Sequence, residues 1–123
     1  MTFEGLLKSE LAQISDLNDN IYPLSVPEGI DPPYIAYCLS DGKYLKTLDG
    51  NEPWEFTYEI NILASSYSSL KILEKLVYEI LINLKGKTSK DGTIKQIDVE
   101  VPEETYEGGI NLQRANIQFT VYF

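Results

Sequence analysis

The stretch WEFTYEINILASSYSSLKILEKLVYEILINLKG, residues 54–86, contains the two clearest structural patterns of the chain. In residues 54–64 apolar and polar residues alternate, which is typical of a strand with one buried and one solvated face. After this, leucine, isoleucine and valine recur at helical spacings. The serines before them are candidate N-caps, and Gly86 is a candidate stop. The stretch predicts a strand that leads into an amphipathic helix over residues 68–84.

The amino-terminal side adds a helix and a proline-rich passage. Residues 2–14 place apolar side chains at helical spacing and predict a short amphipathic helix. The passage IYPLSVPEGIDPPYIAY, residues 21–37, holds four of the six prolines. Because residues 1–20 are too few for a core of their own, we expect a semi-rigid segment within one domain and not a linker. Pro32-Pro33 is expected to hold the chain extended as it enters the next strand.

A hairpin is predicted between this passage and the opening stretch. Residues 34–40 are strand-like, and Asp41-Gly42 is a turn signal that leads into residues 43–48. The polar residues 49–53 predict a second turn before the strand that begins at Trp54.

The carboxyl-terminal side predicts two more strands. Residues 86–93 predict a polar loop, residues 94–101 a strand, and residues 102–109 a turn region. Residues 115–123 alternate apolar and polar side chains up to the last residue. An open apolar edge invites pairing with other chains, so this strand is expected to be either central or a subunit contact.

The order of these elements predicts an α+β fold in one domain, residues 1–123. We expect a mostly antiparallel sheet of about five strands, with two amphipathic helices packed on one face. A chain of 123 residues is long enough for one hydrophobic core.

Composition argues against several functions. The net charge of −9 disfavours direct binding to nucleic acid or to anionic membranes. No signal peptide or apolar membrane span is visible, so a soluble, unprocessed protein is expected. The chain has no histidine, and its single cysteine, Cys38, is best explained as a small buried hydrophobic residue. We therefore predict no enzyme activity, no catalytic residues, no metal and no cofactor.

Two clusters leave alternatives open. Five carboxylates between residues 98 and 107 allow a Ca²⁺ or Mg²⁺ site, although a solvated strand face is favoured because the spacing of a calcium loop is missing. Several tyrosines could line a ligand groove, although packing within the sheet is favoured. The carboxylates are Asp98, Glu100, Glu103, Glu104 and Glu107, and the tyrosines are Tyr22, Tyr34, Tyr37, Tyr44 and Tyr58.

Taken in order, the motifs resemble the tail completion family of tailed bacteriophages, which includes tail terminator and tail-to-head joining proteins. After the amino-terminal helix these motifs are IYPLSVPEGIDPPYIAY, TLDG, ILASSYSSLKILEKLVYEIL and RANIQFTVYF. The resemblance covers residues 6–123 and rests on structural signatures.

The resemblance implies a small α+β subunit of a hexameric ring at the head-proximal end of a phage or prophage tail. Such a ring is made in the host cytoplasm, ends growth of the tail tube, binds the head-tail connector and lets DNA pass without specific binding. An acidic lumen would repel DNA phosphates, and its candidates are Asp98, Glu100, Glu103 and Glu104.

The partners implied are further copies of the chain, the tail-tube protein and the connector protein, with no membrane. Loops 21–33, 41–53 and 86–93 are the expected contact elements, and the loop at 86–93 has the composition of a mobile one. Candidate contact residues are Tyr22, Pro23, Pro27, Pro32, Pro33, Tyr44, Lys87, Lys90, Tyr106, Tyr122 and Phe123. Two alternatives remain: an acidic DNA mimic that inhibits a host enzyme, and a small-molecule-binding α+β domain.

Overall fold

The structure, a computed structural model, describes the backbone of residues 1–47, 50–107 and 112–123, and side chains outside 44–53 and 107–111. Its helices are α1 (Phe3–Leu11) and α2 (Tyr67–Ile82), with a short 3-10 helix, Ser15–Leu17, after α1. The strands are β1 (Ile21–Pro23), β2 (Tyr34–Thr47), β3 (Gly50–Ala64), β4 (Thr88–Ser89), β5 (Gly92–Thr93), β6 (Gln96–Val99), β7 (Glu103–Glu107) and β8 (Leu112–Tyr122).

Six strands form one sheet in the order β1-β2-β3-β8-β6, with β7 also paired to β8. All pairs are antiparallel except that of β1 with β2. The strands β4 and β5 form a separate two-stranded ribbon. The predicted α+β fold with a mostly antiparallel sheet is confirmed, with one strand more than expected.

Both helices cover the same face of the sheet and enclose the core. Thr2 and Ser66 accept backbone hydrogen bonds as N-caps of α1 and α2. The ring of Phe3 in α1 lies 5.3 Å from Tyr58 in β3 and 6.5 Å from Phe119 in β8. These aromatic contacts join α1 to the centre of the sheet, whose alternation buries one face of β3 and β8. The fully buried residues of α2 and its sheet include Leu70, Val77, Leu81, Ile60, Ile62, Ala115 and Val121.

The last strand is central. On one side β8 pairs with β3, and on the other side it pairs with β6 and β7. Phe123, which follows β8, packs edge-on against Phe3 at 5.9 Å and Phe56 at 5.4 Å. Of the two predicted alternatives, the structure shows the first, so this strand leaves no free edge.

The predicted turn at Asp41-Gly42 is wrong. The strand β2 continues through both residues, with a register shift between Leu39 and Asp41. Such a bulge accommodates one extra residue without ending the pairing. A Cβ atom on Gly42 would lie 3.1 Å from the Phe56 ring, so glycine leaves room for that ring. The change of direction comes after Thr47, and residues 48–49 lie outside the described part.

Three further segments differ from the sequence prediction. Residues 50–53, predicted as a turn, belong to β3, and much of the predicted turn at 102–109 is β7, although residues 108–109 are not described. Residues 88–93 form the β4–β5 ribbon instead of a loop. Trp54, predicted on the buried face, is 50% exposed because the pairing of β3 with β8 ends at Glu55.

The ribbon is attached to the start of α1. The Lys90 amide donates a hydrogen bond to the Met1 carbonyl at 2.7 Å, and the Phe3 amide donates to Asp91 Oδ2 at 2.9 Å. Lys87 Nζ binds Glu10 Oε1 at 2.7 Å. Helix α2 ends at Ile82, before Gly86, so Gly86 is not the predicted helix stop. With φ at +89°, Gly86 instead lies where the chain enters the ribbon.

The proline-rich passage lies along the first edge of the sheet. Ile21 is buried, and the Leu24 amide donates to the Tyr37 carbonyl at 2.8 Å. The passage therefore packs on the sheet. The Pro32-Pro33 bond is cis, and residues 32–33 form a bend where the sequence predicted an extended entry. No helix in the described ranges is long and apolar enough to span a bilayer.

Candidate functional site

The face of the sheet that carries no helix has a concentration of carboxylates. Glu59 of β3 pairs with Gln118 of β8, and Asp98 of β6 pairs with Thr120. Directly paired residues point to the same side of a sheet, and alternate residues share that side. By this register the acidic face consists of Asp41, Glu55, Glu59, Asp98, Glu100 and Glu103.

Three of these acids surround a shallow depression of about 230 Å³. Glu59, Glu100 and Glu103 line it together with Asn116 and Gln118. None of the described acidic side chains forms a group of three or more placed to hold a metal ion. The depression is an acidic surface on the helix-free side of the sheet.

Burial and the negative charges of the acidic face change the pKa of the Tyr122 hydroxyl. Burial, and then the charges of Asp98 and Glu55, raise the pKa of Tyr122 above its ordinary value. Lys43 pairs with Glu55 in the register, and Arg114 lies at the other end of the face. Two bases against six acids leave this face negative.

Uncharged polar pairs hold the middle of the acidic face together. The hydroxyls of Thr57 and Thr120 lie 3.0 Å apart, and Asn116 Nδ2 donates to Asn61 Oδ1 at 3.0 Å. These bonds connect β3 to β8 across the sheet. The acids are thus displayed on a surface supported by cross-strand hydrogen bonds.

One predicted acid does not belong to this face. Glu104 pairs with the buried Ala115, so its side chain lies on the helix side, where Glu104 Oε2 binds Lys71 Nζ at 2.7 Å. The prediction missed this because residues 102–109 were interpreted as a turn, in which alternation does not apply. It also missed Glu55 and Glu59, although their alternation within β3 could have shown them. The side chain of Glu107 lies outside the described part.

A cleft of about 350 Å³ lies between α2 and residues 99–104. Glu74, at one wall, is 7% exposed and is the one buried charged residue in the described part of the chain. Burial, and then the nearby Glu104, raise the pKa of Glu74. The pKa of Glu104 is lowered, first by its bond to Lys71. Sequence reasoning missed Glu74, although its spacing from Leu70 and Val77 places it on the buried side of α2.

The predicted contact residues are spread over opposite edges of the sheet. Tyr22 and Pro23 lie in the edge strand β1, and Tyr106, 57% exposed, lies in β7 at the other edge. Pro27 is exposed, Pro32 and Pro33 are half-buried, and Tyr122 is half-buried in β8. Lys87 and Lys90 belong to the ribbon bound to α1, and the side chain of Tyr44 is not described. Phe123 packs within its own core, which argues against a contact through this ring.

Two of the tyrosines predicted as groove candidates pack inside the sheet core. Tyr37 and Tyr58 are buried, and Tyr58 stacks on Phe119 at 5.7 Å, so the packing interpretation holds for these two. Tyr22 donates a hydrogen bond to Asn20 at 2.9 Å, and Tyr34 is half-buried. Cys38 was predicted to be buried and is only half-buried, because it lies on the helix-free side opposite Glu59.

The comparisons with known proteins give a structural match. No protein-family model and no curated protein matches the chain. A solved chain from the virion of a native gene transfer agent particle is similar, with a TM-score of 0.67 and 14% sequence identity. The match covers 97% of this chain and 95% of that chain. It shows a shared fold, and the resemblance to the tail completion family stays a prediction.

Proposed function

We propose that the chain is a structural, non-enzymatic protein of a phage, prophage or phage-like particle. In this proposal it forms a ring, with six copies as the expected number, at the head-proximal end of the tail. There it ends growth of the tail tube or joins the tail to the head connector. The observation that carries the proposal is the structural match to a virion chain over nearly the full length of both chains.

The two edges of the sheet suit a closed ring. A ring needs two different, complementary surfaces on each subunit, so that the same head-to-tail contact repeats until it closes. The described chain offers edges of different character: β1 with its proline-rich passage and the rest of β2 on one side, and β6 with β7 on the other. Because β1 covers only residues 35–37 of β2, the remainder of β2 is a longer edge within the described strands, with which a neighbouring copy would pair.

A two-stranded arm extends beyond the rest of the sheet and supplies a second type of contact. The pairing of β3 with β8 stops at Glu55, whereas β3 continues its pairing with β2 back to Gly50. An arm of this kind reaches past the body of its own subunit. We assign it to contacts with the tail tube, the connector or a neighbouring copy.

In the ring we place the acidic face toward the lumen. A negative wall repels the phosphate backbone, so that DNA passes without binding. Asp98, Glu100 and Glu103 of the predicted lumen set remain in this assignment, and Glu55 and Glu59 join them. Glu104 is removed because its side chain lies on the helix side.

The same face favours one second candidate, an acidic DNA mimic that inhibits a host enzyme. Carboxylates on one continuous surface can replace phosphates in a basic DNA-binding groove. This candidate requires a monomer or small oligomer that binds a DNA-binding enzyme. It requires no incorporation into particles.

Sedimentation of the purified chain, followed by electron microscopy, tests the ring. We expect a species six times the 14.0 kDa monomer at high concentration, with a central opening. A monomer at every concentration, together with absence from purified particles, would reject the ring and favour the mimic.

Charge reversal tests the placement of the acidic face. In the assembled ring, Glu59→Lys with Asp98→Lys should produce retention of double-stranded DNA in a gel-shift assay, increasingly so at low salt. The matched control is a double substitution to lysine at the exposed helix residues Glu79 and Glu4, which adds equal charge elsewhere. Equal retention by both variants would place the acidic face outside the lumen.

A further inference from the structure

The cleft between α2 and residues 99–104 combines apolar walls with one buried carboxylate. Val99, Val101, Pro102 and Tyr78 form much of its lining. Val101 is 88% exposed and Tyr78 is 48% exposed, so both leave apolar surface uncovered in the chain alone. Uncovered apolar surface around a concave site is typical of a position that another molecule occupies.

The carboxylate of Glu74 has unused hydrogen-bonding capacity. Neither of its oxygens has a hydrogen-bond partner, although the side chain is more than nine-tenths buried. Lys71 Nζ lies 3.4 Å from Glu74 Oε2, but its shorter bond, 2.7 Å, is to Glu104. A buried acceptor without a donor is destabilising, and such groups require an explanation in a folded protein.

The charges around the cleft favour a cation. Three carboxylates line it, those of Glu74, Glu100 and Glu104, against the ammonium groups of Lys71 and Lys75. Lys71 is already bound to Glu104, and Lys75 is exposed. An incoming cation could therefore neutralise Glu74 without breaking the bond of Lys71 to Glu104.

We infer that this cleft binds one arginine side chain from a different protein. The guanidinium group would donate two parallel hydrogen bonds to the two carboxylate oxygens of Glu74, an arrangement that arginine makes and lysine does not. The aliphatic stem would pack against Val101, Pro102 and Tyr78. A second copy of this chain is a poor source, because its single arginine, Arg114, lies on the helix-free side of the sheet.

The raised pKa of Glu74 is consistent with this occupant. Burial and the neighbouring Glu104 disfavour the ionised carboxylate more than Lys71 favours it, and a bound guanidinium would counteract that effect. Binding of arginine should therefore lower the pKa of Glu74. The inference concerns a partner surface on the helix side and does not depend on the ring or on the acidic face.

The experiment is an NMR titration of the full chain with N-acetyl-arginine amide as the probe. The comparison probe is N-acetyl-citrulline amide, which has nearly the same shape and no charge. We expect saturable shifts at Val99, Val101 and Tyr78 with the arginine probe at millimolar concentration. The citrulline probe should bind at least tenfold more weakly.

Two glutamate variants localise the site. Glu74→Gln should weaken binding of the arginine probe about tenfold, which corresponds to about 1.4 kcal/mol. Glu79→Gln, an exposed position on the same helix, should leave it unchanged. Should Glu74→Gln fail to fold, comparison of the arginine and citrulline probes on the unmodified chain still tests whether the cleft binds arginine. Absence of saturable shifts, equal binding of both probes, or equal binding by Glu74→Gln would overturn the inference.

Discussion

Replacement of Phe119 by alanine should remove a large part of the stability of the fold. Phe119 is completely buried in the central strand β8, stacked 5.7 Å from Tyr58 and 6.5 Å from Phe3. An aromatic side chain buries about 150–250 Å², which at about 25 cal/mol per Å² gives an upper limit of roughly 4–6 kcal/mol. Core Phe→Ala substitutions typically lose about 3–5 kcal/mol. We expect a loss of about 4 kcal/mol.

The neighbouring residue provides the matched control. Thr120 lies in the same strand on the opposite, helix-free side, where its hydroxyl is 3.0 Å from that of Thr57. Thr120→Ala should lower the free energy of unfolding by about 1 kcal/mol, the value of one hydrogen bond. Urea unfolding followed by far-ultraviolet circular dichroism measures both variants. A loss below about 2 kcal/mol for Phe119→Ala would refute the assigned burial of this strand, because core truncation removes more.

Three further predictions concern other parts of the chain. Glu74→Met should raise the free energy of unfolding by about 1–3 kcal/mol at neutral pH. The pKa of Glu74 is higher in the folded than in the unfolded state, so ionisation of Glu74 destabilises the fold as pH rises. The stability gained by Glu74→Met should therefore vanish in acid, and a gain that does not depend on pH would contradict the raised pKa. Asp91→Ala, which removes the acceptor for the Phe3 amide, should lower stability by about 0.5–2 kcal/mol in the same urea assay, and an unchanged midpoint would refute the attachment of the ribbon. Burial, and then Glu59, raise the pKa of Cys38, so Ellman's reagent should label it more slowly than free cysteine, and Glu59→Gln should accelerate labelling; an equal rate in the variant would count against the pairing.

The best sequence predictions came from long periodic segments. The alternation in β3 and the helical spacing in α2 each involve many residues, so one irregular position does not hide the period. Even there the ends were less accurate: α2 begins at Tyr67 and ends at Ile82, whereas residues 68–84 were predicted. Helix ends depend on the last few hydrogen bonds and not on the periodic face.

The errors arose where a local signal competed with pairing to a distant strand. Asp41-Gly42 is a strong turn signal, yet β3 provides partners for β2 on both sides of it. Residues 102–109 were predicted as a turn region, yet β8 provides an edge with which residues 103–107 pair. Neither partner is visible from the local sequence, since strand propensity depends mainly on context.

The candidate surfaces could be predicted only in part. Asp98, Glu100 and Glu103 were found as an acidic cluster because they are close in sequence. Glu55 and Glu59 join them only through the register of β3 with β8. The Glu74 cleft forms only because α2 lies against residues 99–104. The spacing of residues within the helix does not reveal this contact.

The central claim is that the chain acts at the head-proximal end of a phage-like tail, and deletion of its gene from the producing genome tests it most directly. Electron microscopy of the resulting particles is the measurement. We expect heads and tails that are not joined, with overlong tails if the chain ends tube growth and tails of normal length if it joins tail to head. Complete particles with attached tails of normal length would contradict the account.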